Sequence, residues 1–141
     1  MVATYRIEIG TIPTRRRGWA WLRLAIVVLG FIEGGWMTFD GTRALTVGDY
    51  VTPSSGRYAG QLGPWNRVVS AIGIPPRSTA MKLIFVGYGL GWLVISVGFA
   101  FHARWAWGAM LIGAAATLWY LPIGTIVGLL QLGGLLWLHA V

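Results

Sequence analysis

Few side chains in this sequence can do chemistry. There are four carboxylates, Glu8, Glu33, Asp40 and Asp49, two histidines, His102 and His139, and no cysteine. Disulfides, iron–sulfur clusters, thiolate zinc sites and cysteine nucleophiles are therefore excluded. Glu33 stands apart because it lies in a long apolar stretch, where an ionised carboxylate is costly and an ionisable group is by default a site hypothesis. Two roles are open to it. A structural carboxyl would be satisfied by Lys82, or by Thr117, Tyr120 or Thr125 at similar depth. A functional one would bind a proton, a cation or a small ligand, with Glu33, Lys82, Tyr120 and Thr125 as the candidate ligand-binding set. Catalysis is harder to assemble. The histidines fall at one end of the apolar segments and Glu33, Asp40 and Asp49 toward the other, whereas a Ser-His-Asp device or a histidine-carboxylate metal site needs its groups within bonding reach. Only Glu8 could join the histidines, which read as solvated groups at a membrane interface. No catalytic residue, metal site or cofactor is expected, and the chain reads as a non-enzyme.

The elements that must position these residues follow from a membrane composition. Of 141 residues 56% are hydrophobic and 11% charged, against about 25% charged in a soluble domain, which excludes a water-soluble enzyme. From Trp19 to Phe39 only Arg23 and Glu33 are charged, and at 1.5 Å per residue the stretch covers roughly the 30 Å hydrocarbon core. Arg23, in the first two turns, can snorkel to the interface. Asp40-Gly41 reads as turn chemistry that ends this helix. A second span is expected over 81–101, with Ser78 or Thr79 as its cap. The block from Trp105 to Leu138 has no formal charge over 34 residues, too many for one crossing, and Pro122 divides it into spans over 105–121 and 123–138. One tilted helix with a re-entrant piece is the alternative. The expected fold is an all-α integral membrane protein. A cytoplasmic arm over 1–18 precedes one domain over 19–141, with four transmembrane helices in a bundle and a structured outer loop over 40–79.

Within that loop, Pro64 opens a short amphipathic helix with Trp65, Val68, Val69 and Ile72 on one face and Gly73 as its stop. Asp40, Arg43, Asp49, Tyr50 and Trp65 are the candidate residues for docking a partner. Arg15, Arg16 and Arg17 before the first span, with Arg104 in the second connection, put both termini in the cytoplasm. Arg43, Arg57, Arg67, Arg77 and Lys82 on the other side reduce the contrast. The triple arginine is also the expected attraction for anionic lipid heads. Nucleic acid is rejected as a partner, because the +7 net charge is split across two membrane faces and shows no RNA-binding or helix-turn-helix pattern. A basic run before an apolar stretch also begins a signal peptide, but no A-x-A cleavage pattern follows. Gly30/Gly34, Gly87/Gly91 and Gly124/Gly128 permit close helix approach, in a tight bundle or a homo-oligomer.

Four stretches carry a resemblance: 39–45 (FDGTRAL), 48–53 (GDYVTP), 58–65 (YAGQLGPW) and 118–125 (LWYLPIGT). Together they resemble a group of small bacterial multi-pass membrane proteins without an assigned activity. The resemblance implies a bacterial, cell-membrane protein and carries over no ligand or cofactor. Two functional classes follow from the residues themselves. The first, which the sequence favours, is a non-enzymatic accessory or assembly subunit whose outer loop docks a partner. The second is a small carrier or sensor binding a proton or small ligand at Glu33. They differ in whether the loop projects as a docking surface or folds over the bundle mouth.

Overall fold

The computed structural model describes residues 14–140, which contain helices and no strand. Most of the expected arm over 1–18 lies outside the described residues, as do the side chains of Arg15, Arg16 and Arg17; from Thr14 the chain is already helical. The elements are α1 (Thr14–Val47), α2 (Trp65–Ala71), α3 (Thr79–Ala100), α4 (Ala106–Ala116, extended by a 3-10 turn over Thr117–Trp119) and α5 (Ile123–Ala140). The helices α1, α3 and α5 are long and apolar enough to cross a membrane, and α4 is apolar but shorter. Their outward faces present Val28, Ile32, Leu90, Val94, Ile126 and Leu130. Such a belt is ordinary against lipid and a liability against water, so the fold is compatible with a membrane protein.

The helix α1 packs chiefly on α3, and α5 packs on both α1 and α4. Small residues set the α1–α3 distance. A Cβ at Gly34 would stand 2.8 Å from both Gly89 O and the Trp92 Cβ, so the two backbones touch there. The contact residue on α3 is Gly89, while Gly87 and Gly91, paired in the sequence reading, face open space. Gly128 lies against Ala114 O, where a Cβ would come within 2.7 Å, and brings α5 onto α4.

The first helix does not end at Asp40-Gly41. Gly41 is a second point of close approach, its Cβ position 2.8 Å from the Phe85 Cβ, and Asp40 Oδ1 accepts the N–H of Val51 at 2.6 Å. What resembles a turn is thus a helix contact and a loop anchor. At 34 residues α1 is about 51 Å long. It ends where Gly48 adopts φ 107°, and the outer connection runs over 48–78 rather than 40–79.

That connection folds back over the bundle. Trp65 and Val69 of α2 are buried with Tyr50, Phe85 and Tyr120 in one aromatic core. Ile72, expected on the same face, is 70% exposed, because the helix closes one residue earlier. Gly73 turns the chain at φ 84°, and Ile74 N–H reaches Val69 O at 3.0 Å. This Schellman closure puts Ile74, not Ile72, against the core. Ser78 caps α3 by accepting Met81 N–H at 3.2 Å. The expected span over 105–121 is shorter than foreseen: α4 and its 3-10 turn total 14 residues, about 21 Å. The hairpin tip ends beneath the loop, with Trp65 6.2 Å from the Trp119 and Tyr120 rings, so the loop occupies the height that α4 lacks.

Candidate functional site

Glu33 is 7% exposed, and neither carboxylate oxygen has a hydrogen-bond partner. Gly30 and Gly34 on either side of it draw α1 onto α3, which turns Glu33 toward the α4–α5 hairpin. It lines a cleft of about 520 Å³ with Ile32, Gly35, Trp36, Phe39, Tyr120, Ile123, Gly124 and Val127. Trp36 Nε1 donates to Tyr120 Oη at 3.3 Å across the loop end of the cleft, and the Phe39 ring lies 6.0 Å from Trp36. The candidate set drawn from the sequence lacks Ile32, Gly35, Trp36, Phe39, Ile123, Gly124 and Val127. The signal existed on α1: Ile32, Gly35, Trp36 and Phe39 fall at i, i+3, i+4 and i+7, one helix face.

Of the candidate ligand set, the structure brings Glu33 and Tyr120 together. It leaves the other two apart. Lys82 Nζ donates to Gly48 O at 2.7 Å, beyond the far end of α1 from Glu33, because the unforeseen extension of α1 carries that level well past the cleft. Thr125 Oγ1 donates to Leu118 O at 2.8 Å, fastening the hairpin. Thr117, the other proposed satisfier, belongs to a separate network. Its Oγ1 accepts Trp92 Nε1 at 3.1 Å and lies 2.8 Å from Tyr88 Oη, while Tyr88 Oη also donates to Gly113 O. Deeper in the bundle, Ser96 Oγ and both polar atoms of the Gln131 amide are buried and likewise unpartnered.

The loop residues proposed to dock a partner are largely turned inward. Tyr50, Trp65 and Asp40 are buried, and Arg43 Nη1 donates to Asp49 O at 2.7 Å and Tyr50 O at 2.9 Å. Arg77 Nε donates to Asp49 Oδ1 at 2.9 Å, and Arg77 Nη2 to Gly60 O at the same distance. The Arg77 guanidinium holds the Asp49 carboxyl below the usual carboxylate range. Burial pushes the Tyr50 phenol above its ordinary value, with Asp40 and Asp49 adding to the effect. The Asp40, Arg43, Asp49 and Arg77 side chains are bonded within the chain and hold the loop, while the buried Tyr50 hydroxyl has no partner and holds by packing. The loop's outer face keeps an open depression between Pro53, Tyr58, Arg67 and Pro76.

At the opposite end, Arg23, Phe99, His102, Trp107 and His139 line a cavity of about 420 Å³. The Arg23 guanidinium donates to Phe99 O and lies over its ring, and His139 packs on Trp107 at 4.8 Å. No group of three or more His, Cys, Asp or Glu able to hold a metal occurs among the described residues. Fold and site define a small helical protein with three helices able to cross a membrane and one buried carboxylate facing an apolar cleft. No protein family, curated protein or solved structure matches the chain.

Proposed function

We propose that this chain is a small, non-enzymatic carrier or sensor that binds a proton or small ligand at Glu33. In this reading it is a four-span bundle in a bacterial cell membrane, with both termini cytoplasmic. The observation that carries the reading is a carboxylate 7% exposed, with both oxygens unpartnered, at the wall of an apolar cleft. A carboxyl kept for structure would be hydrogen-bonded, since a buried polar group without a partner costs about 1–3 kcal/mol. The accessory-subunit reading has less support, because the loop side chains that would dock a partner are engaged within the chain.

Trp36 shares the cleft with Glu33 and reports on it. Tryptophan fluorescence of the purified protein, followed from pH 5 to pH 9, should titrate in wild type and be flat in Glu33→Gln. Thermostability of that variant should stay within about 1 kcal/mol of wild type. Superimposable pH curves for the two proteins would overturn the proposal.

A further inference from the structure

The chemistry of the cleft says more than that Glu33 binds something. Its walls are the rings of Trp36, Phe39 and Tyr120 and the aliphatic chains of Ile32, Ile123 and Val127, with no lysine, arginine or histidine among them. The one indole N–H is turned to Tyr120 Oη. The surface of the cleft is almost wholly apolar and carries the rings of three aromatic side chains, and in its wall lie two buried carboxylate oxygens without a partner. Carboxylate oxygens and aromatic faces are all electron-rich, and their combination recognises a cation whose charge is carried on an apolar body. The cleft opens sideways on the apolar flank of the bundle, since Ile32, Phe39 and Ile123 on its rim are exposed. Gly35 leaves the wall without a side chain, as a Cβ there would meet nothing within 4 Å. At about 520 Å³ the volume falls within the roughly 300–1,000 Å³ of small-molecule sites. An acyl chain would fill it but leave both oxygens unmet.

We infer that the cleft between α1 and the α4–α5 hairpin binds an organic cation with an apolar body, its charge met by Glu33 and its body by Trp36, Phe39 and Tyr120. This rests on the reading of Glu33 as a binding group. A proton and the cation then compete for the same two oxygens, so binding one weakens the other by the same factor. The titratable groups turned toward Glu33 are Tyr88 from α3 and Tyr120 from the hairpin. The sequences of α4 and α5 bring only His139, at the far end of α5.

Tetraphenylphosphonium, permanently charged and apolar, is the probe, and neutral triphenylphosphine oxide is its control. Equilibrium binding to purified full-length protein in detergent should be saturable for the phosphonium, absent for the oxide, and weaker as pH falls. Glu33→Gln should lose tenfold or more in affinity. Trp36→Leu should lose roughly threefold to tenfold, the range of a partly desolvated cation–π contact. Gly35→Leu, which keeps Glu33 and fills the open wall, should abolish binding too. A wild type whose fluorescence titrates through Glu33 but which binds no phosphonium, or binds phosphonium and oxide alike, overturns this inference and leaves the Glu33 reading standing. Loss of the titration as well removes both. Phosphonium binding in detergent that is displaced by phosphatidylcholine assigns the cleft to a choline headgroup and overturns a free organic cation.

Discussion

At the scale of single residues, the interior separates polar groups that are satisfied from those that are not. Thr117 is the hub of the first kind, accepting the Trp92 N–H and lying within bonding distance of Tyr88 Oη. Thr117→Val keeps the shape and removes the oxygen. Tyr88 retains Gly113 O and stays beside Trp92, but the buried Trp92 N–H loses its acceptor on Thr117, at a cost of about 1 kcal/mol. Thr117→Ser should stay close to wild type, and reversible unfolding in mixed micelles measures both. Equal stabilities for the Val and Ser variants would show that the hydroxyl carries no weight. Glu33 is of the second kind and was legible from sequence, because a lone carboxylate in an apolar stretch announces itself whatever surrounds it. Its surroundings were less legible. Lys82 was paired with it on depth alone, and depth was reckoned from a helix assumed to stop at Phe39. Once α1 runs to Val47, Lys82 belongs with Gly48 instead.

At the scale of elements, the loop is held by charge and burial together, and both have a pH signature. The folded Asp49 carboxyl sits below its usual range through Arg77, so its contribution is fully present above the unfolded value of about 4 and is lost as pH falls through the folded one. The buried Tyr50 phenol sits above its usual range. Its contribution is complete below about pH 10 and is lost as pH rises beyond that. Hydrogen exchange of the 48–78 amides should therefore be slowest, relative to the intrinsic rate, between about pH 5 and pH 9 and rise at both ends. Asp49→Asn should remove the acid limb and leave the alkaline one, and an acid limb that survives the substitution would refute the assignment. The sequence showed parts of this loop clearly. Pro64 and Gly73 bracketed α2, and Ser78 or Thr79 marked the start of α3, where Ser78 is the cap, because these residues act through backbone conformation and local capping. Asp40-Gly41 misled for a tertiary reason. A glycine selected for contact with Phe85 and a carboxylate selected to hold Val51 look locally like a turn.

At the scale of the whole molecule, sidedness governs what Glu33 can meet. The cleft opens on the apolar flank of the bundle near the loop-covered hairpin tip, so with the loop facing outward an occupant reaches it from the outer half of the membrane. Basic residues are nearly balanced between the two ends. The triple arginine, however, lies in the first turn of α1, ahead of its apolar stretch, and the first span usually dominates orientation, whereas Arg43 and Arg77 are engaged with loop carbonyls and Asp49. The short α4 is compatible with the proposed topology, because α4 and α5 pack against each other and such a hairpin would return the chain to its starting side whether or not it crosses completely. The cysteine-free sequence makes the test direct, with single cysteines placed at Thr4, at exposed Ser54 in the loop and at exposed Arg104 between α3 and α4. An impermeant thiol reagent added to intact cells should label Ser54→Cys alone, and permeabilised cells should label all three. Labelling of Thr4→Cys and Arg104→Cys with Ser54→Cys protected would invert the bundle and put the cleft in the cytoplasmic half of the membrane. Labelling of Ser54→Cys and Arg104→Cys together from outside would mean that α3 does not cross. The apolar faces of Leu90 and Val94 would then need a protein partner in place of lipid.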